Sequence, residues 1–169
     1  DLKSAFDSGS LIINYSGHGS FNLWATESVF DVSNNWPDFY HDVDDLAQLT
    51  EDNKGMYPFV VGMSCLSGYF GGLGFWENPS LTEALLRAEQ KGAAAAFMPT
   101  GQTTTDGQHI LNSALFESIF TEDTRKLGPA IAAAKQTLLA NGSGDYEQVS
   151  ETFLLFGDPA MALKIPLPS

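Results

Sequence analysis

The chain has 169 residues, with 21 acidic against 8 basic side chains and a net charge of −13. That length suits one domain with a substantial core. No apolar run reaches the ~18 residues of a membrane span, and the scarcity of Lys and Arg argues against a nucleic-acid partner. An acidic balance suits secretion, calcium binding or plain solubility alike, and the single cysteine, Cys65, allows no internal disulfide.

The chain starts Asp1-Leu2-Lys3, with no Met and no signal-like segment, so it reads as a processed piece of something larger. Residues 1–8 read as the end of a helix, with Leu2, Ala5 and Phe6 on one face and Gly9 as its stop. The run Leu11-Ile12-Ile13 reads as a buried strand over 10–15, broken at Ser16-Gly17. Residues 20–41 read as a long polar and aromatic loop carrying Trp24 and Trp36, and such loops are usually functional. Asp42 to Leu49 reads as a short helix, 51–55 as a turn, and 58–63 as a second strand.

A glycine-rich aromatic loop over 66–79, with Trp76, leads to Ser80 and Glu83, a capping box for a helix carrying Leu81, Ala84, Leu85 and Ala88. Gly92 ends that helix, and Ala93 to Met98 reads as a strand of mostly small residues. Pro99 to Thr105 is a loop, followed by helices over 107–121 and 128–140, the second with Pro129 in its first turn. Asn141 to Gly144 reads as a loop, Thr152 to Phe156 as a strand closed by Gly157-Asp158-Pro159, and Ala162 to Ile165 as a last short strand. Strands alternating with helices imply an α/β fold, a mostly parallel sheet with helices on both faces.

Two of these strands end alike. His18 lies between two glycines just past the first, and Cys65 just past the second. In open parallel sheets, sites gather at those strand ends. A cysteine attacks a carbonyl as its thiolate, and a nearby imidazole raises the thiolate population. The reaction also needs backbone N–H donors in a tight turn for the developing oxyanion. Taken singly, Gly-His-Gly is an ordinary turn and a lone Cys after a strand is an ordinary buried apolar residue; the matched placement is what favours a catalytic pair.

Asn14-Tyr15-Ser16-Gly17-His18-Gly19-Ser20, then Met63-Ser64-Cys65 and Gly68-Tyr69-Phe70, resemble the gingipain family of cysteine peptidases (family C25, clan CD), relatives of caspases and legumain. The likeness runs over about residues 10–166. It takes in Leu81 to Leu86 with Gly92 to Ala95, Leu127-Gly128 with Ala132 to Lys135, and Phe153 to Met161 with its Phe-Gly-Asp-Pro.

The resemblance implies a caspase-like three-layer sandwich and a bacterial, secreted or cell-surface endopeptidase. Cys65 would be its nucleophile and His18 its general base and acid, with the N–H groups of Gly19 and Cys65 as the oxyanion hole. It also implies strands ahead of the His strand, holding an acidic partner for the imidazole. Residues 1–169 are therefore expected to be the C-terminal major part of such a catalytic domain. The edge left at residues 10–15 is expected to pair with those upstream strands or with another chain.

Candidate pocket residues are Trp24, Ser64, Thr100, Gly101, Gln102 and Thr103, the last four because they follow the next strand. Core packing is the equal alternative for the tryptophans. No cofactor is required. Asp42, Asp44, Asp45, Glu51 and Asp52 offer oxygens enough for a structural calcium, in a spacing that matches no known calcium loop. His41 and His109 read as capping or surface residues, and Asp158 as a turn residue. A transpeptidase or ligase shares the acyl-enzyme, and an inactive caspase-like scaffold shares only the fold.

Overall fold

The computed structural model describes residues 2–25, 29–32, 44–50, 55–71, 79–142 and 144–166. In chain order these form α1 (Leu2–Asp7), β1 (Ile12–Ser16), β2 (Leu23–Trp24), β3 (Phe30–Asp31), β4 (Phe59–Met63) and α2 (Leu81–Arg87). Then follow β5 (Ala95–Pro99), α3 (Thr105–Phe120), α4 (Leu127–Ala140), α5 (Gly144–Thr152) and β6 (Phe153–Phe156).

The apolar runs make the sheet, in the order β1-β4-β5-β6. β4 pairs in parallel with β1 on one side and with β5 on the other. β6 closes the far edge antiparallel to β5. Every residue of β4 and β5 is buried, as expected of central strands covered on both faces.

Alternation along the strands divides the core in two. Phe59, Val61, Met63, Ala95 and Phe97 face one way and pack on Leu111 and Leu115 of α3, Ala130, Ile131 and Leu138 of α4, and Val149 of α5. Ile13, Val60, Ala96 and Met98 face the other way and pack on Phe6 of α1, Leu81 and Leu85 of α2, and Trp24 and Phe30 of the short ribbon β2–β3. The result is the expected three-layer α/β sandwich. The capping box is also present: Ser80 Oγ accepts from the Glu83 N–H and the Ser80 N–H donates to Glu83 Oε2 at 2.9 Å.

Four local expectations change. Of the helix expected at 42–49, the described residues 44–49 form turns. Here Asp44 Oδ1 accepts from Ala47 N–H at 3.0 Å, a backbone donor that a helix would use, while Asp45 Oδ2 ties the segment to β3 by accepting from Asp31 N–H at 3.0 Å. Within the expected loop 20–41, residues 23–24 and 30–31 pair as strands. Residues 144–152 form a helix, α5, that its polar sequence did not announce. The strand expected at 162–165 is a single bridge, Lys126 with Ala162, where the tail runs back along the start of α4.

Candidate active site

The register sets the site. Ser16, the last residue of β1, lies opposite Met63, the last of β4. His18 and Cys65 each stand two residues further on, so both loops leave the same end of the sheet side by side. β5 runs parallel to β4, so residues 100–104 leave that end too.

The His18 loop sits directly on the Cys65 loop. A Cβ at Gly19 would lie 2.7 Å from Ser64 Cβ and 3.1 Å from the Cys65 carbonyl oxygen. No real side chain tolerates the first distance, so glycine is what lets the two backbones meet. His18 is exposed and Cys65 partly so, with a free thiol.

Each loop is fastened by its own groups. On the histidine side, the Tyr15 hydroxyl donates to the His18 carbonyl at 2.6 Å, and the Ala25 N–H donates to the same oxygen at 2.8 Å. Tyr15 is held in turn by stacking on Trp24, ring centroids 4.5 Å apart. On the cysteine side, Gln108 Nε2 and Thr103 Oγ1 donate to the Ser64 carbonyl at 2.7 and 3.1 Å, and Gln108 Nε2 also meets Thr103 Oγ1. Ser64 Oγ bonds Ser67 Oγ at 2.8 Å, and Thr82 Oγ1 donates to the Ser67 carbonyl at 2.9 Å. The Cys65 thiol points toward the Thr103 carbonyl, 3.9 Å away.

Leu66, directly after the cysteine, has φ of 61°. That is a left-handed conformation costing roughly 1–2 kcal/mol for a residue with a Cβ. The hydrogen bonds Leu66 N–H to Gly101 O (3.0 Å) and Gly68 N–H to Pro99 O (2.8 Å) hold it there. Strain of this kind is typical of functional turns.

Several backbone donors around the two loops remain open, those of Gly19 and Cys65 among them. Among the described residues, neither the Gly19 N–H nor the Cys65 N–H has a hydrogen-bond acceptor. Buried or half-buried amides are rarely left so, and both lie at the junction of the two loops.

The pocket candidates divide. Gly101 and Thr103 touch the cysteine loop as described, Gln102 is exposed, and Thr100 is tied away to Thr152 through its N–H and its hydroxyl, both at 2.9 Å. Ser64 is fully buried, its hydroxyl spent on Ser67. Trp24 is also fully buried, between Tyr15, Phe30 and the glycine at 62, so it supports the loop from beneath and presents no face to a substrate. Trp36, Trp76, His41, Asp42, Glu51 and Asp52 lie outside the described residues. Asp45 binds Lys3 at 3.0 Å as well as the Asp31 amide. Among the described residues, no three His, Cys, Asp or Glu side chains gather as metal ligands.

Tyr15 and Gln108 were not singled out from the sequence. Gln108 had a signal: it shares a helical stripe with Leu111 and Leu115, and an amide at a core-facing position needs a partner.

A family model described as peptidase family C25 matches residues 1–164. The chain is 25% identical over 177 residues to gingipain R2 of Porphyromonas gingivalis, covering 100% of this chain and 22% of that protein. Gingipain R1 of the same organism is also 25% identical over 177 residues, with 16% of its length covered. Among solved structures, the crystal structure of the Arg specific cysteine proteinase gingipain R (RGPB) matches with a TM-score of 0.73 and 27% identity, over 96% of this chain and 35% of that one. The complex of Porphyromonas gingivalis RgpB pro- and mature domains matches with a TM-score of 0.72 and 27% identity, over 96% of this chain and 36% of that one. The chain thus spans about a fifth of the curated relatives' length or less, and about a third of the solved chains.

Proposed function

The chain belongs to peptidase family C25, and from that premise we propose that it carries the catalytic pair of a cysteine endopeptidase, with Cys65 as nucleophile and His18 as general base and acid. The observation that carries the proposal is the junction of the two loops, where Gly19 packs on Ser64 and Cys65 and the Gly19 and Cys65 N–H groups stay open. The imidazole takes the thiol proton. The sulfur adds to the peptide carbonyl carbon, and the π pair moves onto oxygen, facing the Gly19 and Cys65 amides. Collapse expels the amine, which takes the proton from the imidazolium and leaves a thioester. Water, deprotonated by the imidazole, then releases the acid and restores the thiol.

The substrate class is protein or peptide. Thr103 and Gly101, beside the cysteine turn, would form a wall of the pocket for the residue before the scissile bond, with exposed Gln102 at its rim. The Arg specificity of the RGPB relative makes arginine the first residue to test. A structural calcium, if bound, would draw on the acidic segment that includes Asp44. Among the described residues β1 lies at the edge of the sheet, and a further stretch of polypeptide, from the same protein or from a partner, would pair with it. A secreted or cell-surface setting accords with this; among the described residues no helix is long and apolar enough to cross a membrane.

The test uses the full-length protein. A peptidyl acyloxymethyl ketone should label Cys65 in the native protein and fail to label Cys65→Ala, and His18→Ala should label far more slowly. Of four reporter peptides with Arg, Lys, Leu or Asn before the bond, one should be cleaved well above the others, and an added amine nucleophile should not become the main acceptor. Dominant transfer to the amine would make the protein a ligase. A native protein that neither labels nor cleaves would be a scaffold.

A further inference from the structure

In a trans peptide the carbonyl and the N–H point in opposite directions from one rigid plane. Fixing the oxygen therefore fixes where the hydrogen aims. The Gly19 N–H shares its peptide with the His18 carbonyl, and the Cys65 N–H shares its peptide with the Ser64 carbonyl. Both carbonyls accept two hydrogen bonds, one for each lone pair. His18 O takes Tyr15 Oη at 2.6 Å and Ala25 N at 2.8 Å; Ser64 O takes Gln108 Nε2 at 2.7 Å and Thr103 Oγ1 at 3.1 Å. No cis bond interrupts either unit. The opposite ends of the same two planes, the Gly19 and Cys65 N–H groups, are left open.

We propose that Tyr15 and Gln108 are positioning residues that aim and polarise the Gly19 and Cys65 N–H groups toward the oxyanion. This rests on the peptidase reading above. The structure supplies rigidity to both. Tyr15 lies flat on Trp24, interplanar angle 13°, and Trp24 is fully buried. Gln108 is 8% exposed in the first turn of α3, anchored by Leu111 behind it. Donation into a carbonyl also sharpens the dipole of the N–H across the peptide, by roughly 10–30% per bond. Removing one oxyanion donor outright costs about 10²–10³ in kcat. Leaving the donor in place but loosely aimed should cost less, about tenfold.

The variants are Tyr15→Phe and Gln108→Met in the full-length protein, each removing the donor with little change in shape. Three readouts separate the roles: kcat and KM on a cleaved reporter peptide, affinity for the matching peptide aldehyde, and the rate of Cys65 alkylation by iodoacetamide against pH. The aldehyde adduct places a tetrahedral oxygen at the amides, whereas alkylation needs only the thiolate. Each variant should lose about tenfold in kcat, with KM nearly unchanged and aldehyde affinity falling in step. Alkylation rate and its pH profile should match the native protein. Native kcat in both variants overturns the inference, as does a parallel loss of alkylation, which would mean simple loosening of the loops. Tyr15→Phe removes a single oxygen and keeps the test decisive if Gln108→Met does not fold. A native protein that neither cleaves nor captures the aldehyde overturns the peptidase reading instead.

Discussion

The two loops that meet at the end of the sheet are fastened by different chemistry. The His18 loop rests on aromatic surface: Tyr15 stacked on a wholly buried Trp24, itself beside Phe30, on which Phe6 stacks. The Cys65 loop is held by a hydrogen-bonded web of Ser64, Ser67, Thr82, Thr103 and Gln108, with one residue in a left-handed turn. Burying a large ring is non-directional and strong. Hydrogen bonds are individually modest but fix direction. The exposed imidazole is thus carried on a stable platform, while the cysteine and its amide are held in orientation.

The variant with the largest expected effect breaks the aromatic side. Trp24→Ala should cost about 3–5 kcal/mol of unfolding free energy, the range for truncating a buried Trp. Urea unfolding gives the loss. Amide exchange should then rise over residues 15–20 and stay near native over 64–68. Equal acceleration in both loops would mean that they do not have separate supports.

Next in size is Gly19→Ala, which acts where the loops touch. Its Cβ would meet Ser64 Cβ at 2.7 Å, with the Cys65 carbonyl behind it. Overpacking of this kind costs about 1–3 kcal/mol. Exchange should rise in both loops together, and Cys65 labelling should slow. A variant with native stability and native labelling would show that the loops stand further apart than this contact implies.

What the sequence made legible follows the same division. The strands of the main sheet were legible because each is an apolar run ended by a breaker, as in Leu11 to Ile13 before Ser16-Gly17. The capping box was legible because its two residues lie three apart. The matched ends of β1 and β4 were legible in the repeated pattern, although their adjacency depended on a pairing that only the fold supplies. Helix α5 was not legible, since only Val149 and Ser150 of its nine residues are buried and no stripe is visible. Strands β2 and β3 are two residues each, too short for any period. Trp24 was ambiguous because an aromatic in a polar stretch fits a cleft as well as a core, and tertiary packing decides. The roles of Tyr15 and Gln108 depend on which carbonyl they reach across the fold, information that no local pattern contains.

The smallest effect lies away from both loops and serves as their control. Lys135, on α4 behind the sheet, donates to the Phe153 carbonyl at 2.6 Å. Burial lowers its pKa from the ordinary 10.5, because the half-buried site disfavours the charged form. Below the lowered value both folded and unfolded chains carry the proton, and the penalty for the buried charge is present in full. Between the lowered value and 10.5 the unfolded chain binds more protons, so this group makes stability rise with pH. Above 10.5 both forms are neutral and the penalty is gone. Urea midpoints measured from neutral pH up to 10.5 should therefore climb more steeply in the native protein than in Lys135→Met. The same difference should survive in a Gly19→Ala background, because α4 and the two loops lie in separate parts of the molecule. If Lys135→Met leaves the alkaline slope unchanged, the ammonium reaches water in solution, and the Phe153 contact is not what holds it.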